Sequence, residues 1–371
     1  MRHAEPPATP SSGRVYNFSA GPACMPESVL AQLQGEMLNL FGTGIGLLEH
    51  SHRGTAYDRL LDEATGSVRT CAGVGPEWDI LFMPGGSMQH FPLLAMNFVP
   101  PGGSAAFLDT GLWAHKGAAE TSRVCTVRTL FDGKAIRYAH VPADSEIAAA
   151  GDAAYLCYCS NNTVEGTQFK RHPRSSVPLF CDATSDIFSR EFDWNAHELV
   201  FASGQKNLGA SGICVVFAKK SLLARAATTL PPMFSYAHFA KTQSRPNTPP
   251  TFGVRVIGLM AQWTLDHGGT AAFARRAAER SAIVYAAIDR SGGFYRGSAE
   301  PASRSTTAIS FQLPSDALVD AFVAEAESQG LHGLRGHREW GGIRACLYNA
   351  FPSQGCALLA SFMDEFARRN G

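Results

Sequence analysis

Two apolar runs and a glycine-rich turn make up the stretch Leu199-Val-Phe-Ala-Ser-Gly-Gln-Lys-Asn-Leu-Gly-Ala-Ser-Gly-Ile-Cys-Val-Val-Phe-Ala218. Each run has the length and the β-branched and aromatic content of a buried strand. Of the seven lysines in the chain, only Lys206 lies in a turn between two such strands. A lysine there is either a solvated turn residue or a functional amine, and its position alone does not decide between the two.

A carboxylate precedes this lysine by 24 residues. Asp182 closes the apolar run Val177-Pro-Leu-Phe-Cys181, at the carboxyl end of a predicted strand, which is the edge where open α/β sheets bind ligands. An Asp at a strand end is also an ordinary turn cap. Pyridoxal phosphate (PLP), however, needs a lysine that forms an imine with it and a carboxylate that keeps its pyridine nitrogen protonated. The two residues together therefore favour a PLP site.

Two further segments suit such a cofactor. Pro84-Gly-Gly-Ser-Met-Gln-His90 follows a predicted strand and opens a helical stretch, so the N–H groups of Ser87 and Met88 could face a phosphate. Trp113 follows another strand, where its ring could stack on the pyridine. Taken alone, the first segment is more simply a structural turn, and the tryptophan a core residue.

Bulk composition excludes several classes of protein. Lys+Arg and Asp+Glu number 32 each in 371 residues, which argues against a nucleic-acid or membrane-surface partner held by net charge. The nine cysteines contain no C-x-x-C pair, so we expect no metal site and a reducing, cytoplasmic location. Residues 1–14 lack the apolar region of a signal peptide, and glycines and prolines interrupt the uncharged segment 80–108 too often for a membrane span.

Alternation of strand-like and helical segments over some 200 residues predicts an α/β fold with a mostly parallel central sheet. After Phe252 a long helical segment, interrupted near Gly268-Gly269, leads into a smaller α+β unit. We expect a flexible tail over residues 1–14, a large domain over 15–268 and a small C-terminal domain over 269–371. Packing of the first segment of the large domain on the small domain is left open.

The order of motifs along the chain resembles that of the phosphoserine aminotransferases, a family of class V, fold-type I PLP enzymes. The resemblance extends from about Tyr16 to Gly371. The segments that carry it are Asn17-Phe-Ser-Ala-Gly-Pro22, Ser51-His-Arg-Gly54, Gly85-Gly-Ser-Met-Gln89, Gly111-Leu-Trp113, Ser160-Asn-Asn-Thr-Val-Glu-Gly166, Gly204-Gln-Lys-Asn-Leu-Gly209, Asn247-Thr-Pro-Pro-Thr-Phe252 and Gly336-His-Arg-Glu-Trp-Gly-Gly-Ile-Arg344.

The resemblance implies a cofactor site made of Ser87, Met88, Trp113, Thr163, Asp182, Thr184, Gln205, Lys206, Asn247 and Thr248. Within it, Lys206 would form the Schiff base and Asp182 would pair with the pyridine N–H. Trp113 would stack on the ring, with Thr163 beside it, and the remaining residues would surround the phosphate. Asn247 and Thr248 would come from the other subunit, so the resemblance implies a homodimer with shared active sites.

Substrate binding is assigned by the resemblance to His52, Arg53, His337, Arg338 and Arg344. Arg344 would hold the α-carboxylate as a bidentate guanidinium, and the two His-Arg pairs would bind a phosphate ester. Without the resemblance, each pair would be read as a solvated loop. The implied reaction is amino transfer between glutamate and 3-phosphohydroxypyruvate in serine biosynthesis. Family members often also accept the related phosphohydroxythreonine precursor of pyridoxine.

One departure from the family pattern concerns the phosphate turn, where Ser87-Met88 replaces the Gly-Arg of some members and a side-chain charge is lost. Two alternatives to the family reaction stay open. One is another class V PLP enzyme, such as a small-substrate aminotransferase or a cysteine desulfurase. The other is a non-catalytic binding protein that retains the fold.

Overall fold

A computed structural model describes residues 13–371 of the chain, so the predicted tail over residues 1–14 lies almost wholly outside the described residues. The helices in this range are α1 (Glu27–Glu36), α2 (Thr55–Ala72), α3 (Ser87–Phe98), α4 (Leu112–Thr121), α5 (Lys220–Leu223), α6 (Tyr236–Lys241), α7 (Thr251–Asp266), α8 (Gly269–Asp289), α9 (Asp316–Ser328) and α10 (Ser353–Asn370). Between residues 13 and 371, no helix has both the length and the apolar content that crossing a bilayer requires.

The strands are short, and half of them belong to one large sheet. They are β1 (Tyr16–Asn17), β2 (Trp78–Pro84), β3 (Ser104–Asp109), β4 (Thr126–Asp132), β5 (Leu156–Cys159), β6 (Asn161–Asn162), β7 (Thr167–Gln168), β8 (Leu179–Asp182), β9 (Leu199–Ser203), β10 (Ile213–Lys219), β11 (Arg296–Gly297), β12 (Ala308–Gln312), β13 (Leu331–His332) and β14 (Ile343–Cys346).

The central sheet has seven strands in the order β2-β10-β9-β8-β5-β3-β4. All neighbours are parallel except β10, which runs antiparallel to both β2 and β9. Side chains of the inner strands are buried on both faces, because helices and loops cover the sheet on each side. The predicted α/β fold with a mostly parallel sheet is confirmed.

The edge strand β4 was not among the strands predicted from the sequence. β4 lies at one edge of the sheet, and its segment Thr126-Val-Arg-Thr-Leu-Phe-Asp132 exposes most of its side chains, unlike the largely buried strand β2 at the other edge. Polar residues in an edge strand interrupt the continuous apolar run by which the inner strands were recognised.

The turn that carries Lys206 connects β9 to β10 and depends on Gly204. A Cβ atom at this position would lie 2.1 Å from the carbonyl oxygen of Ala210, so only glycine allows the turn to close on itself. The backbone N–H of Gly204 donates to the carbonyl of Ile213 at 2.8 Å, which extends the pairing of the two strands into the turn. Lys206 is therefore held by backbone geometry directly beyond the carboxyl end of β9.

A second hydrophobic core is formed by side chains of the antiparallel sheet β11-β12-β14 and of the helices α8, α9 and α10. The helical segment before it breaks as predicted, since α7 ends at Asp266 and α8 begins at Gly269, with Gly268 at φ +95°. The N-terminal segment also joins this core: Phe18 is completely buried in it, and β1 pairs in parallel with β13.

Candidate active site

A cavity of about 370 Å³ lies where the carboxyl ends of β8 and β9 meet the second core. Its lining comprises Ala20, Gly21, Gly86, Ser87, Met88, Trp113, Cys159, Asn161, Thr163, Asp182, Thr184, Ser185, Ser203, Gln205, Lys206, His337 and Arg344. Lys206 and Asp182 lie 24 residues apart in the sequence. They line the same cavity because Asp182 ends β8 and Lys206 follows β9, and these two strands are parallel neighbours.

The amine of Lys206 is almost fully enclosed, with only 8% of the residue exposed. Its Nζ donates to Thr163 Oγ1 at 2.5 Å. Burial lowers the pKa of Lys206 to about 8, and the nearby Cys346 and Asp182 act in the opposite direction. A lysine that loses its proton this close to neutral pH can act as a nucleophile and as a base.

Asp182 is the last residue of β8 and is held by the residue two positions beyond it. Its Oδ1 accepts a hydrogen bond from the backbone N–H of Thr184 at 2.9 Å, and the Thr184 hydroxyl also bonds to the carboxyl group. Burial raises the pKa of Asp182, while the bonds from Thr184 and the charge of Lys206 lower it. The carboxylate is thus fixed in orientation and forms no ion pair with any residue from 13 to 371, so it can pair with a cationic ring nitrogen.

A chain of hydrogen bonds leads away from Lys206. Thr163 Oγ1 donates to Ser185 Oγ at 2.8 Å, and Asn161 Nδ2 donates to the same oxygen at 2.7 Å. Ser305, in the second core region, donates from Oγ to Asn161 Oδ1 at 2.5 Å. The position of the amine is therefore coupled to both parts of the molecule.

The first turn of α3 forms the wall opposite the sheet edge. Ser87 and Met88 are its first residues, where backbone N–H groups have no acceptor within the helix. Gly85 allows the sharp turn from β2, since its φ of +105° is a backbone conformation that residues with a side chain rarely adopt. Exposed N–H groups at a helix N-terminus form a site for a phosphate, and that site requires no particular side chain at positions 87 and 88.

Two residues of the small C-terminal part, His337 and Arg344, line the cavity. The His337 ring lies edge-on to the Trp113 ring, with centroids 5.9 Å apart. The Arg344 guanidinium lines the cavity and forms no side-chain hydrogen bond or ion pair within residues 13–371. A guanidinium without a carboxylate partner on a cavity wall is suited to bind an anionic ligand.

Ten of the fifteen residues predicted from the sequence line this cavity: Ser87, Met88, Trp113, Thr163, Asp182, Thr184, Gln205, Lys206, His337 and Arg344. The other five, which are His52, Arg53, Arg338, Asn247 and Thr248, do not line it. His52 and Arg53 lie in the turn before α2, and Asn247 and Thr248 are exposed in the loop before α7. Thr184 is placed as a partner of Asp182, and its Oγ1 also accepts the N–H of Ser203 at 3.0 Å.

Several residues of the site were not predicted from the sequence. Asn161 and Gly21 belong to two of the motifs that carry the family resemblance, but their motifs gave them no individual role. The sequence around Ser185 and Cys159 did not predict that they line the cavity, because the pairing of β5 with β8 brings them there.

Comparisons with known proteins identify the family to which the chain belongs. The model of the family "Aminotransferase class-V" matches residues 15–355. The chain belongs to the class-V aminotransferase family. Within described residues 13–371, no three or more His, Cys, Asp or Glu side chains come together as a metal site.

Among members of this family, the chain is similar to phosphoserine aminotransferases, as the sequence motifs predicted. It is 40% identical over 356 residues to the phosphoserine aminotransferase of Geobacillus kaustophilus, covering 96% of this chain and 99% of that protein. The crystal structure of the phosphoserine aminotransferase from Bacillus circulans subsp. alkalophilus superposes with a TM-score of 0.94 at 40% identity, over 96% and 99% of the two chains. The PLP-bound phosphoserine aminotransferase from Trichomonas vaginalis gives a TM-score of 0.90 at 32% identity, over 94% and 99%.

Proposed function

We propose that the chain is a PLP-dependent phosphoserine aminotransferase, which transfers the amino group of glutamate to 3-phosphohydroxypyruvate and so produces O-phosphoserine and 2-oxoglutarate. The carrying observation is that Lys206 and Asp182 face one cavity. The wall of this cavity also holds Arg344, whose guanidinium forms no hydrogen bond or ion pair with residues 13–371. The near-full-length similarity to phosphoserine aminotransferases supports the same activity.

The residues of the cavity fit PLP. Asp182 offers a buried carboxylate for the pyridine nitrogen, the first turn of α3 offers N–H groups for the phosphate, and Lys206 offers a buried amine. Gln205 contributes a buried Oε1 atom without a hydrogen-bond partner among the described residues, as expected in a site shaped for a further polar group. When bound, PLP supplies an electron sink for the carbanion that forms at the substrate α-carbon.

Lys206 then acts as the base of the reaction. Its Nζ, whose pKa is about 8, removes the proton from the substrate α-carbon and holds it until it is returned later in the reaction. The hydrogen bond to Thr163 orients the amine before and after this transfer. Trp113 also lines the cavity and offers a ring face for the pyridine.

Arg344 and His337 determine which amino acid enters. The guanidinium of Arg344 binds the α-carboxylate, because it is a cation on the cavity wall that forms no ion pair in the described part of the chain. His337 lies against Trp113, where it can donate to a phosphate ester or to the side-chain carboxylate of glutamate. The use of phosphohydroxythreonine in pyridoxine synthesis, like a cytoplasmic location, stays a prediction.

A homodimer completes the site in this proposal. Asn247, Thr248, His52, Arg53 and Arg338 do not line the cavity of their own chain, although the family pattern gives all of them ligand-binding roles. The loop before His52 exposes large apolar side chains, including Leu38 (83%) and Leu48 (60%), and Phe252 is exposed just after Thr248. Apolar exposure on this scale is typical of a surface that a partner covers, and we propose that it brings Asn247, Thr248, His52 and Arg53 to the partner's cavity.

The desulfurase alternative lacks a suitable nucleophile. Seven of the nine cysteines are buried, and burial raises the pKa of the partly exposed Cys24 to about 11 and that of Cys125 above its ordinary value. A catalytic cysteine needs an exposed thiolate at neutral pH. A non-catalytic binding protein would not need a lysine with so low a pKa beside a buried carboxylate.

A half-reaction screen tests the proposal. The visible absorbance of the PLP-loaded protein is followed as phosphoserine, glutamate or alanine is added without a second substrate. Phosphoserine and glutamate should each convert the cofactor to its amine form, and alanine should react far more slowly. A protein that responds to neither phosphoserine nor glutamate does not have the proposed function.

A further inference from the structure

Glu165 lies directly behind the cavity and takes no part in the mechanism above. It belongs to the turn between β6 and β7, and only 1% of the residue is exposed. Its Oε1 accepts a hydrogen bond from the backbone N–H of Leu112 at 2.8 Å. Leu112 is the first residue of α4 and precedes Trp113, so the carboxyl group anchors the helix end that presents the Trp113 ring.

The backbone around Gly111 is adapted to this carboxyl group. A Cβ on Gly111 would lie 2.6 Å from Glu165 Oε2 and 2.8 Å from Asn162 Oδ1. A side chain at position 111 would therefore force Glu165 and Asn162 to shift. Oε2 itself is buried and has no hydrogen-bond partner among the described residues, so one of the two carboxylate oxygens is unsatisfied.

The charged and titratable groups around Glu165 come from several elements. Arg344 on β14 stabilises its anionic form, and Asp109 on β3 destabilises it. The negative charge of Glu165 in turn raises the pKa of Tyr138 and that of Cys159. Burial is the largest influence and raises the pKa of Glu165 to about 7.

Ser310, the cross-strand neighbour of Arg344, donates from its hydroxyl to the carbonyl of Val164, so the β12–β14 pairing brings Arg344 beside the segment that carries Glu165. In the proposed enzyme Arg344 therefore lies near two anions, Glu165 and the substrate carboxylate within the cavity. We propose that Glu165 is a positioning residue that couples uptake of a proton to the binding of a carboxylate ligand at Arg344. The inference rests on the proposed function for the ligand, since it takes Arg344 as the carboxylate site.

The direction of the effect follows from linkage. A carboxylate bound to Arg344 offsets the positive charge that stabilises ionised Glu165, so the pKa of Glu165 rises and the group takes up a proton near neutral pH. By reciprocity, a carboxylate ligand binds more tightly when Glu165 is protonated. Affinity should be highest below pH 7 and should fall as the pH rises through the range in which Glu165 ionises.

Calorimetric titration of the PLP-loaded protein with glutarate tests this coupling. Glutarate is a dicarboxylate that has neither an amino nor a keto group, so it binds without reacting. Titrations between pH 6 and 8.5, in buffers of different ionisation enthalpy, give both the affinity and the number of protons taken up. We expect the wild-type protein to lose roughly fivefold in affinity over this range and to take up a fraction of a proton near pH 7.5.

Glu165→Gln separates the charge from the anchor, because the amide oxygen can still accept the N–H of Leu112. In this variant the proton uptake and the pH dependence of glutarate binding should largely disappear. The visible absorbance recorded in the same titration reports protons taken up by the cofactor, which both proteins share. Asp109→Asn, which neutralises the other buried acid, should retain the uptake.

Three results would overturn the inference: unchanged proton uptake in Glu165→Gln, no uptake in the wild-type protein beyond that of the cofactor, or no glutarate binding by a protein that responds to phosphoserine. The second result needs no variant, so poor folding of Glu165→Gln would not leave the matter undecided. A protein that does not respond to phosphoserine fails the proposed function instead, and the inference about Glu165 falls with it.

Discussion

The amine of Lys206 is a much weaker base than the amine of a solvent-exposed lysine, because the surrounding core raises the free energy of its charged form. The same burial that would be costly for an idle lysine makes this one reactive near neutral pH. No other lysine lines the cavity. Covalent attachment of the cofactor should therefore depend on this single side chain.

We expect Lys206→Ala to bind PLP without forming a covalent link. Borohydride reduction followed by mass spectrometry of the intact protein should show added cofactor mass in the wild type and none in the variant. Lys219→Ala is the matched control, since Lys219 is a partly buried lysine that pairs with Glu198 away from the cavity. Cofactor mass retained in Lys206→Ala would refute the assignment.

Asp182→Asn should lower kcat by roughly 10²- to 10⁴-fold while the protein still carries PLP on Lys206. An asparagine can still accept the N–H of Thr184 through its oxygen, but it cannot keep the ring nitrogen protonated. Single-turnover rates with phosphoserine, measured alongside cofactor content, check this. A variant with normal cofactor content and a normal rate would contradict the role of Asp182.

At the scale of elements, the β9–β10 turn is fixed by the contact of Gly204 with the carbonyl of Ala210. We expect Gly204→Ala to lower the free energy of unfolding by about 2 kcal/mol or more, because the backbone must move to admit the methyl group. Gly66→Ala is the control: this helical glycine has no neighbour within 4 Å, and alanine there should stabilise the protein by about 0.5–1 kcal/mol. Urea denaturation of the PLP-loaded proteins measures both, and equal effects would contradict the role of the turn.

The inner strands of the sheet could be predicted from the sequence because burial on both faces leaves uninterrupted apolar runs, as in Leu199–Ser203. The edge strand β4 could not, since solvent on one side admits polar residues. The strands β1 and β13 are two residues long, which is too short to show a periodic pattern in the sequence. They pair with each other across most of the chain, so neither one predicts the other. Sequence patterns report how an element is buried and say little about which distant element covers it.

The same limit applies to the site. Lys206 and Asp182 could be predicted because the chemistry of one cofactor demands both residue types at one sheet edge. Ser185 and Glu165 could not, since each acts through a contact with a residue more than 20 positions away. A buried polar residue acquires its partner only when the chain folds, and its own sequence neighbourhood does not name that partner.

For the whole molecule, the proposed exchange of residues between two subunits predicts complementation. Lys206→Ala and Arg53→Ala should each have low activity as pure proteins. If both are unfolded and refolded together at equal concentration, half of the dimers are mixed, and each mixed dimer has one intact site. Activity should then recover to about a quarter of the wild-type value.

Co-refolding each variant with itself is the control for this recovery and should give none. If the mixture stays at the average of the two pure variants, Arg53 serves the cavity of its own chain or none at all. Sedimentation of the refolded mixture confirms that dimers have formed.

The pairing of β1 with β13 joins Tyr16 to Leu331 and places Ala20 and Gly21 in the cavity wall. The early strand β1 thus finds its partner only in β13, which is synthesised much later, and this has a consequence for biosynthesis. While the ribosome is still translating, Phe18 has no core to enter, because the strands and helices that bury it have not yet been made. The large sheet can form on the nascent chain, but the wall of the active site closes only after β13 has left the ribosomal tunnel. Until then the newly made protein presents an apolar segment that a chaperone could bind.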